Sequence, residues 1–235
     1  MPAAPARARQ GPVQSLHLPG IPKNASPPRQ PYSLNVLVFF AILAFSLQMR
    51  NSLEQRRRVL ILGRFLRRYQ IESLMQTLVD GYLRAMGEQE ADRRQSIWSM
   101  LAQTENQLEG QFQSLLTDLA AEADPRLLRA STLPLSLPLA TRWLPAKTFS
   151  LHDILRVHGD GISRVMANAT SLSGPDRSFC LTAELLLMQH SCHWFCKSRW
   201  VASARMLARH QTRYVQLLEA VSEPTRQAYR RIMGR

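Results

Sequence analysis

The residues best equipped for chemistry cluster in one run, His190-Ser191-Cys192-His193-Trp194-Phe195-Cys196. On a helix Cys192 and Cys196 stand one turn apart on one face, a spacing at which two thiolates can share a metal ion. His190 and His193 project at other angles, so a four-ligand zinc would need Cys180 or a distant residue. The tight CxxC knuckle usual in structural zinc sites is absent. Buried cysteine behaves as a small apolar residue, and core packing is the expected role, with a redox pair second. Neither metal nor cofactor is expected; Cys192, Cys196 and His193 are the ligands a metal would use. Three cysteines, Cys180 included, do not resemble a secreted disulfide framework, which favours a reducing compartment.

Other candidates carry less. His152-Asp153 has the look of a metal-dependent phosphohydrolase doublet, but the only upstream histidine is His17, ahead of the apolar segment described below. His158 and Asp160 flank a glycine and could pair locally, without a third partner for acid/base work. Residues 151–168 (LHDILRVHGDGISRVMAN) have a helix-turn-helix cadence: Gly159 in the turn, Ile162 and Val165 packing, Ser163, Arg164 and Asn168 outward. Glycine-rich phosphate loops, GxSxG, HExxH and calcium-loop patterns are all missing, so no small-molecule substrate is indicated. Asn24-Ala-Ser and Asn168-Ala-Thr are formal glycosylation sequons that matter only in a secretory setting.

The elements around these residues begin with an apolar run, LNVLVFFAILAFSLQM at 34–49, ended by Arg50 and interrupted only by Asn35, Ser46 and Gln48. As a helix it spans roughly 24 Å, short of a hydrocarbon core of about 30 Å. Tyr32 and Arg50 at its ends extend its reach by interfacial anchoring and snorkelling. A buried core helix is the alternative. Prolines at 2, 5, 12, 19, 22, 27, 28 and 31 mark 1–33 as a disordered tail. They also oppose the amphipathic helix of a mitochondrial transit peptide, and no small-x-small site after the apolar run suggests a cleaved signal.

The formal charge of +13 is unevenly spread. Residues 1–49 carry four basic and no acidic side chains, and 50–70 carry seven basic against Glu54. Residues 71–196 hold ten basic and fourteen acidic, and 197–235 nine basic and two acidic. Within about 15 residues of the apolar run, Lys23 and Arg29 lie on one side and Arg50, Arg56, Arg57, Arg58 and Arg64 on the other, with Arg67 and Arg68 just beyond. The imbalance predicts a cytoplasmic C-terminal domain, in a bacterial inner membrane or, as a second reading, a mitochondrial one. These seven arginines are the expected lipid or anion contacts.

The remaining chain reads as helical. Residues 50–70, continuous with the span or separate from it, form either a helix grazing the headgroups or the first core helix of the domain. Ile71, Leu74, Met75, Leu78, Tyr82 and Met86 define an amphipathic helix over 71–86, with Gly87 placed to end it. Ile97, Leu101, Leu108, Phe112, Leu115 and Leu119 define a second over 97–121, Thr104 filling the seam, and Asp124-Pro125 closes it. That seam is expected to pair with a partner helix or a second copy. Residues 125–149 form an irregular Pro/Leu-rich connection that lies against the bundle or touches the membrane. A helix over 150–170 is expected to break near Gly159-Asp160-Gly161. The last long element starts near Phe179, and Arg205, Arg209 and Arg213 fall at i, i+4, i+8 as one stripe for a partner or an anion. Pro224 interrupts, and a short helix with Arg226, Arg230 and Arg231 follows. No strand pattern is visible.

The class is therefore all-α: one N-terminal transmembrane helix, then a four- or five-helix bundle. The expected function is a non-enzymatic, membrane-anchored interaction or assembly protein. A membrane-tethered DNA-binding regulator using 151–168 is the first alternative, and a metal or redox site at Cys180, Cys192 and Cys196 the second.

Overall fold

The computed structural model describes residues 31–137, 139–168 and 171–234. The proline-rich tail through residue 30, with Lys23, Arg29 and the Asn24 sequon, lies outside the described residues, as does Thr170 of the second sequon. The chain divides into two compact units, Met1–Ile42 and Leu43–Arg235. In the first, the described part is the opening of helix α1 (Pro31–Leu66). Helix begins at Pro31, three residues earlier than expected. Proline is tolerated in the first turn, where its missing N–H would have had no helical partner.

The second unit holds the rest of α1, then α2 (Ile71–Gly87), α3 (Ala91–Glu122), β1 (Arg129–Ser131), the single turn α4 (Ala140–Trp143), a 3-10 turn (Pro145–Lys147) and β2 (Thr148–Ser150). Helices α5 (Leu151–Met166), α6 (Gly174–Cys196), α7 (Arg199–His210), α8 (Tyr214–Ala220) and α9 (Glu223–Met233) follow. The all-α class holds. α6 is the central helix and packs against α2, α5, α7 and α8, while α3 packs on α2 and α5, and α9 on α5. The connection 125–149 contains an unforeseen hairpin, in which Ala130 faces Phe149 across an antiparallel pair. Three-residue strands offer too short a run for a period of two to be seen.

Four of the helices start on serine, and three of these serines cap by hydrogen bond. Ser150, Ser173 and Ser198 each accept a hydrogen bond from the backbone N–H three residues on, a cap worth about 1 kcal/mol. α6 accordingly opens at Gly174 with Pro175 in its first turn, five residues before Phe179. Pro224 likewise opens α9. α5 runs unbroken through Gly159 and Gly161, against the expected break. The glycines serve close packing. A Cβ on Gly159 would sit 2.8 Å from Leu116 Cδ1, and one on Gly161 would sit 2.5 Å from Thr225 Oγ1 and 2.6 Å from Glu184 Oε2. With no turn at Gly159, the helix-turn-helix over 151–168 does not exist, and the DNA-binding alternative loses its structural basis.

The seam of α3 is spent inside the chain. Leu101, Leu108, Phe112, Leu115 and Leu119 are all buried in the core, so the face expected to meet a second copy is already occupied. Its middle position is Glu105, 3% exposed, in place of Thr104. The spacing 101, 105, 108, 112, 115, 119 alternates four and three without a fault. Arg177 on α6 donates to both Glu105 oxygens at 2.9 and 2.7 Å, and Tyr82 on α2 donates to Oε1 at 2.5 Å. One carboxylate thus ties three helices, and it pushes the Tyr82 phenol upward, behind burial itself as the larger cause.

Truncating one partner of a buried pair strands the other charge, at a cost of about 3–5 kcal/mol. Arg177→Met is therefore expected to lower stability by roughly 3 kcal/mol, and Glu105→Leu in the same chain to restore most of it. Urea unfolding of the four members of this cycle measures the coupling; additive effects would remove Glu105 from its organising role.

Candidate membrane interface

α1 is built in two halves by composition. Among the described residues it is the one helix long and apolar enough to cross a bilayer, and none of its most apolar stretch is buried. Phe39, Phe40, Ile42 and Phe45 are each about 60% exposed or more, and every described side chain from Leu34 to Arg50 is exposed. Farther along, Leu62 and Phe65 are buried in the bundle core, with Ile61 and Leu66 packed beside them. The end of α1, from Ile61 to Leu66, therefore joins the bundle core, while Leu53, Val59 and Leu60 stay exposed. Polarity explains the change: after Met49 the helix face alternates between arginines and core-facing apolar residues, whereas before it no polar face exists.

The turn of α1 just past Met49 is held by the Pro/Leu connection. Ser136 donates to Asn51 Oδ1 at 2.6 Å, and the Leu139 backbone N–H donates to Glu54 Oε1 at 3.1 Å. Lys197, at the end of α6, donates to Gln55 Oε1 at 3.0 Å. These bonds fix the exit of the apolar segment to the bundle.

Of the seven expected lipid-facing arginines, Arg50, Arg56, Arg57, Arg64, Arg67 and Arg68 are exposed. Arg58 is half-buried and pairs with Glu54 at 3.5 Å. Arg67 donates back to the Gly63 carbonyl at 3.3 Å. Arg68 pairs with Asp118 on α3 at 2.9 Å and, like Arg64, lies over the Phe65 ring. Tyr69, then Arg68, hold the Asp118 carboxyl below its usual range. The Arg205/Arg209/Arg213 stripe is likewise broken. α7 ends at His210, Gln211 turns left-handed, and Arg213 sits at the start of α8. Arg205 contacts His193 Nδ1 at 3.3 Å, and Arg209 reaches Gln76 on α2.

The cysteines stay apart. Cys180 and Cys192 are twelve residues distant on α6, about 18 Å along a helix, too far to share an ion. All three thiols are free, and among the described residues no three metal-binding side chains gather. Burial pushes the Cys192 thiol up to about 12 and the Cys196 thiol up to about 11, so neither is a ready thiolate at neutral pH.

Sequence reasoning missed a buried imidazole-aromatic cluster. His158 Nε2 lies 2.9 Å from Ser191 Oγ, and that hydroxyl donates to the Leu187 carbonyl at 3.0 Å. His158 therefore bonds to α6 and not to Asp160, which is exposed. His190 Nε2 meets Ser203 Oγ at 3.1 Å, and its ring stacks on Tyr214 at 4.7 Å. Trp194, edge-on to His190 and to Phe149, donates to the Ser131 carbonyl. Periodicity could have placed His158 and His190 on core faces, at four-residue spacing from Ile154 and Leu186.

Both imidazoles are held neutral. Burial, with repulsion from His190, lowers His158 to about 3; burial, then His193 and Arg199, lowers His190 to about 3. The unfolded chain takes up these protons below about pH 6.5, whereas the folded one resists until about 3. Stability is therefore complete above 6.5 and lost as pH falls, by up to ~1.4 kcal/mol per pH unit for each histidine. Glu184, buried and bonded to Ser222, has its carboxyl raised by burial and works in the opposite direction, adding stability on acidification. His193 and His210 are lowered by burial as well, so four imidazoles against one carboxyl predict a net loss. The urea midpoint is expected to drop between pH 6.5 and 5, and His158→Gln to flatten that slope; a midpoint constant over this range would contradict the assignment.

Compared with protein-family models, with curated proteins and with solved structures, the chain has no match.

Proposed function

We propose that the protein is a non-enzymatic, single-pass membrane-anchored helical protein, with the bundle after α1 on the cytoplasmic side of a bacterial inner membrane, serving interaction or assembly. The observation that carries this reading is α1 itself: residues 34–49 have apolar side chains on every face and no protein around them. Ten Leu, Ile, Phe and Val residues lie in the segment, and each contributes about 0.3–0.6 kcal/mol to insertion near a membrane centre. The sum, roughly 3–6 kcal/mol, favours lipid, and the segment carries no charge to oppose it.

Topology rests on the arginines. Arg50, Arg56 and Arg57 follow the apolar segment within about 12 Å along the helix, in reach of anionic headgroups that attract each by about 1 kcal/mol. Arg64, Arg67 and Arg68 are also exposed but lie farther from the apolar segment, and Arg68 is engaged with Asp118. Interaction, in this reading, uses the basic surface of α7 to α9, since the α3 seam is internal.

Membranes of producing cells provide the test. The protein is expected to stay in the pellet through high salt and alkaline carbonate, because apolar burial is not screened as charge contacts are. Protease should digest the bundle in inside-out vesicles and spare it in right-side-out ones. Release by carbonate would refute the anchor, and digestion from the opposite face would refute the orientation.

A further inference from the structure

We propose that the Pro/Leu connection and the start of α7 form a second membrane contact, a collar of leucine and tryptophan side chains seated in the headgroup layer beside α1. This inference rests on the anchor reading and adds a surface to it. All the residues concerned belong to the second compact unit.

Height comes first. The uncharged run ends at Met49, and Arg50, the first charge after it, marks the edge of the hydrocarbon. Asn51 and Glu54 follow within about one turn, and they are the residues that hold Ser136 and Leu139. The connection is therefore fastened to α1 at the depth where acyl chains give way to headgroups. The Trp200 backbone N–H donates to the Pro134 carbonyl at 3.2 Å, which brings the first turn of α7 to the same level.

Composition comes second. Leu135 and Leu137, on either side of the bonded Ser136, are 55% and 51% exposed, and Trp143 and Trp200 are 75% and 68% exposed. Leu144 is exposed as well. No acidic or basic side chain interrupts 133–141, and Arg142 follows at once. Leucine and tryptophan on a scaffold, edged by arginine, match the amphipathic boundary of a bilayer, where tryptophan rings concentrate. Burying them against a protein partner would place that partner inside the headgroup layer, so lipid is the occupant the geometry favours. The connection also gains a reason for its prolines. Proline opposes a continuous helix, and Leu135 and Leu137 stay exposed.

The experiment uses full-length protein reconstituted in vesicles of phosphatidylethanolamine and phosphatidylglycerol, with and without a spin label on the lipid headgroup. Flotation reads the anchor, which holds no tryptophan; quenching of tryptophan fluorescence reads the collar. The labelled lipid is expected to quench the protein, and Trp143→Phe with Trp200→Phe to remove most of that quenching while flotation persists. Both rings are exposed, so circular dichroism should be unchanged. A protein that floats but shows equal quenching with and without Trp143 and Trp200 would overturn the collar and leave the anchor standing. Failure to float would overturn both.

Discussion

Sixteen successive residues without a charge, continued covalently into a helix that must reach a packed core, set the terms for this molecule. The apolar segment can lower its free energy only by leaving water, and the bundle surrounds none of it. Twelve residues past Arg50, the same helix buries Leu62, and then Phe65, in the core. α1 thus carries both an exposed apolar stretch and core residues, and the stretch between them, from Arg50 to Arg58, is polar on two sides. Some of its side chains hydrogen-bond inward, Asn51, Glu54 and Gln55, and others stay out, Arg50, Arg56 and Arg57.

The bundle beyond that turn is specified as much by buried polar groups as by apolar ones. Glu105 with Arg177 and Tyr82 locks α3 to α6 and α2. His158 with Ser191 locks α5 to α6, and Glu184 with Ser222 locks α6 to the α8–α9 junction. Such groups contribute little net stability once desolvation is counted, but a shifted register would leave each one unpaired. A helical core rich in leucine has many near-equivalent packings, and these anchors select one.

Amphipathic spacing made α2 and α3 legible, because both helices keep one buried face for several turns. The apolar segment of α1 was legible for the opposite reason, having no polar face at all. Misreadings arose where a residue's role depended on a neighbour distant in sequence. Gly159 and Gly161 looked like breaks, whereas their missing side chains admit Leu116, Thr225 and Glu184. Thr104 fills the seam in the local pattern, whereas Arg177, 72 residues away, makes Glu105 the buried position. The arginine stripe assumed one helix through Arg213, while Gln211 adopts a positive φ and ends it. A local signal was overlooked in the Ser-x-x-Asp starts of α5 and α6, which mark both N-termini. The paired loop and α1 turn lie 85 residues apart, beyond any local pattern.

The account stands on residues 34–49 residing in hydrocarbon. Hydrogen exchange on the full-length protein in lipid vesicles tests this most directly, amide by amide. Amides from Val36 to Met49 should exchange orders of magnitude more slowly than those of a solvated helix, since water is scarce in the bilayer core. Exchange of these amides at the rate of an exposed, unpacked helix would contradict the account at its base.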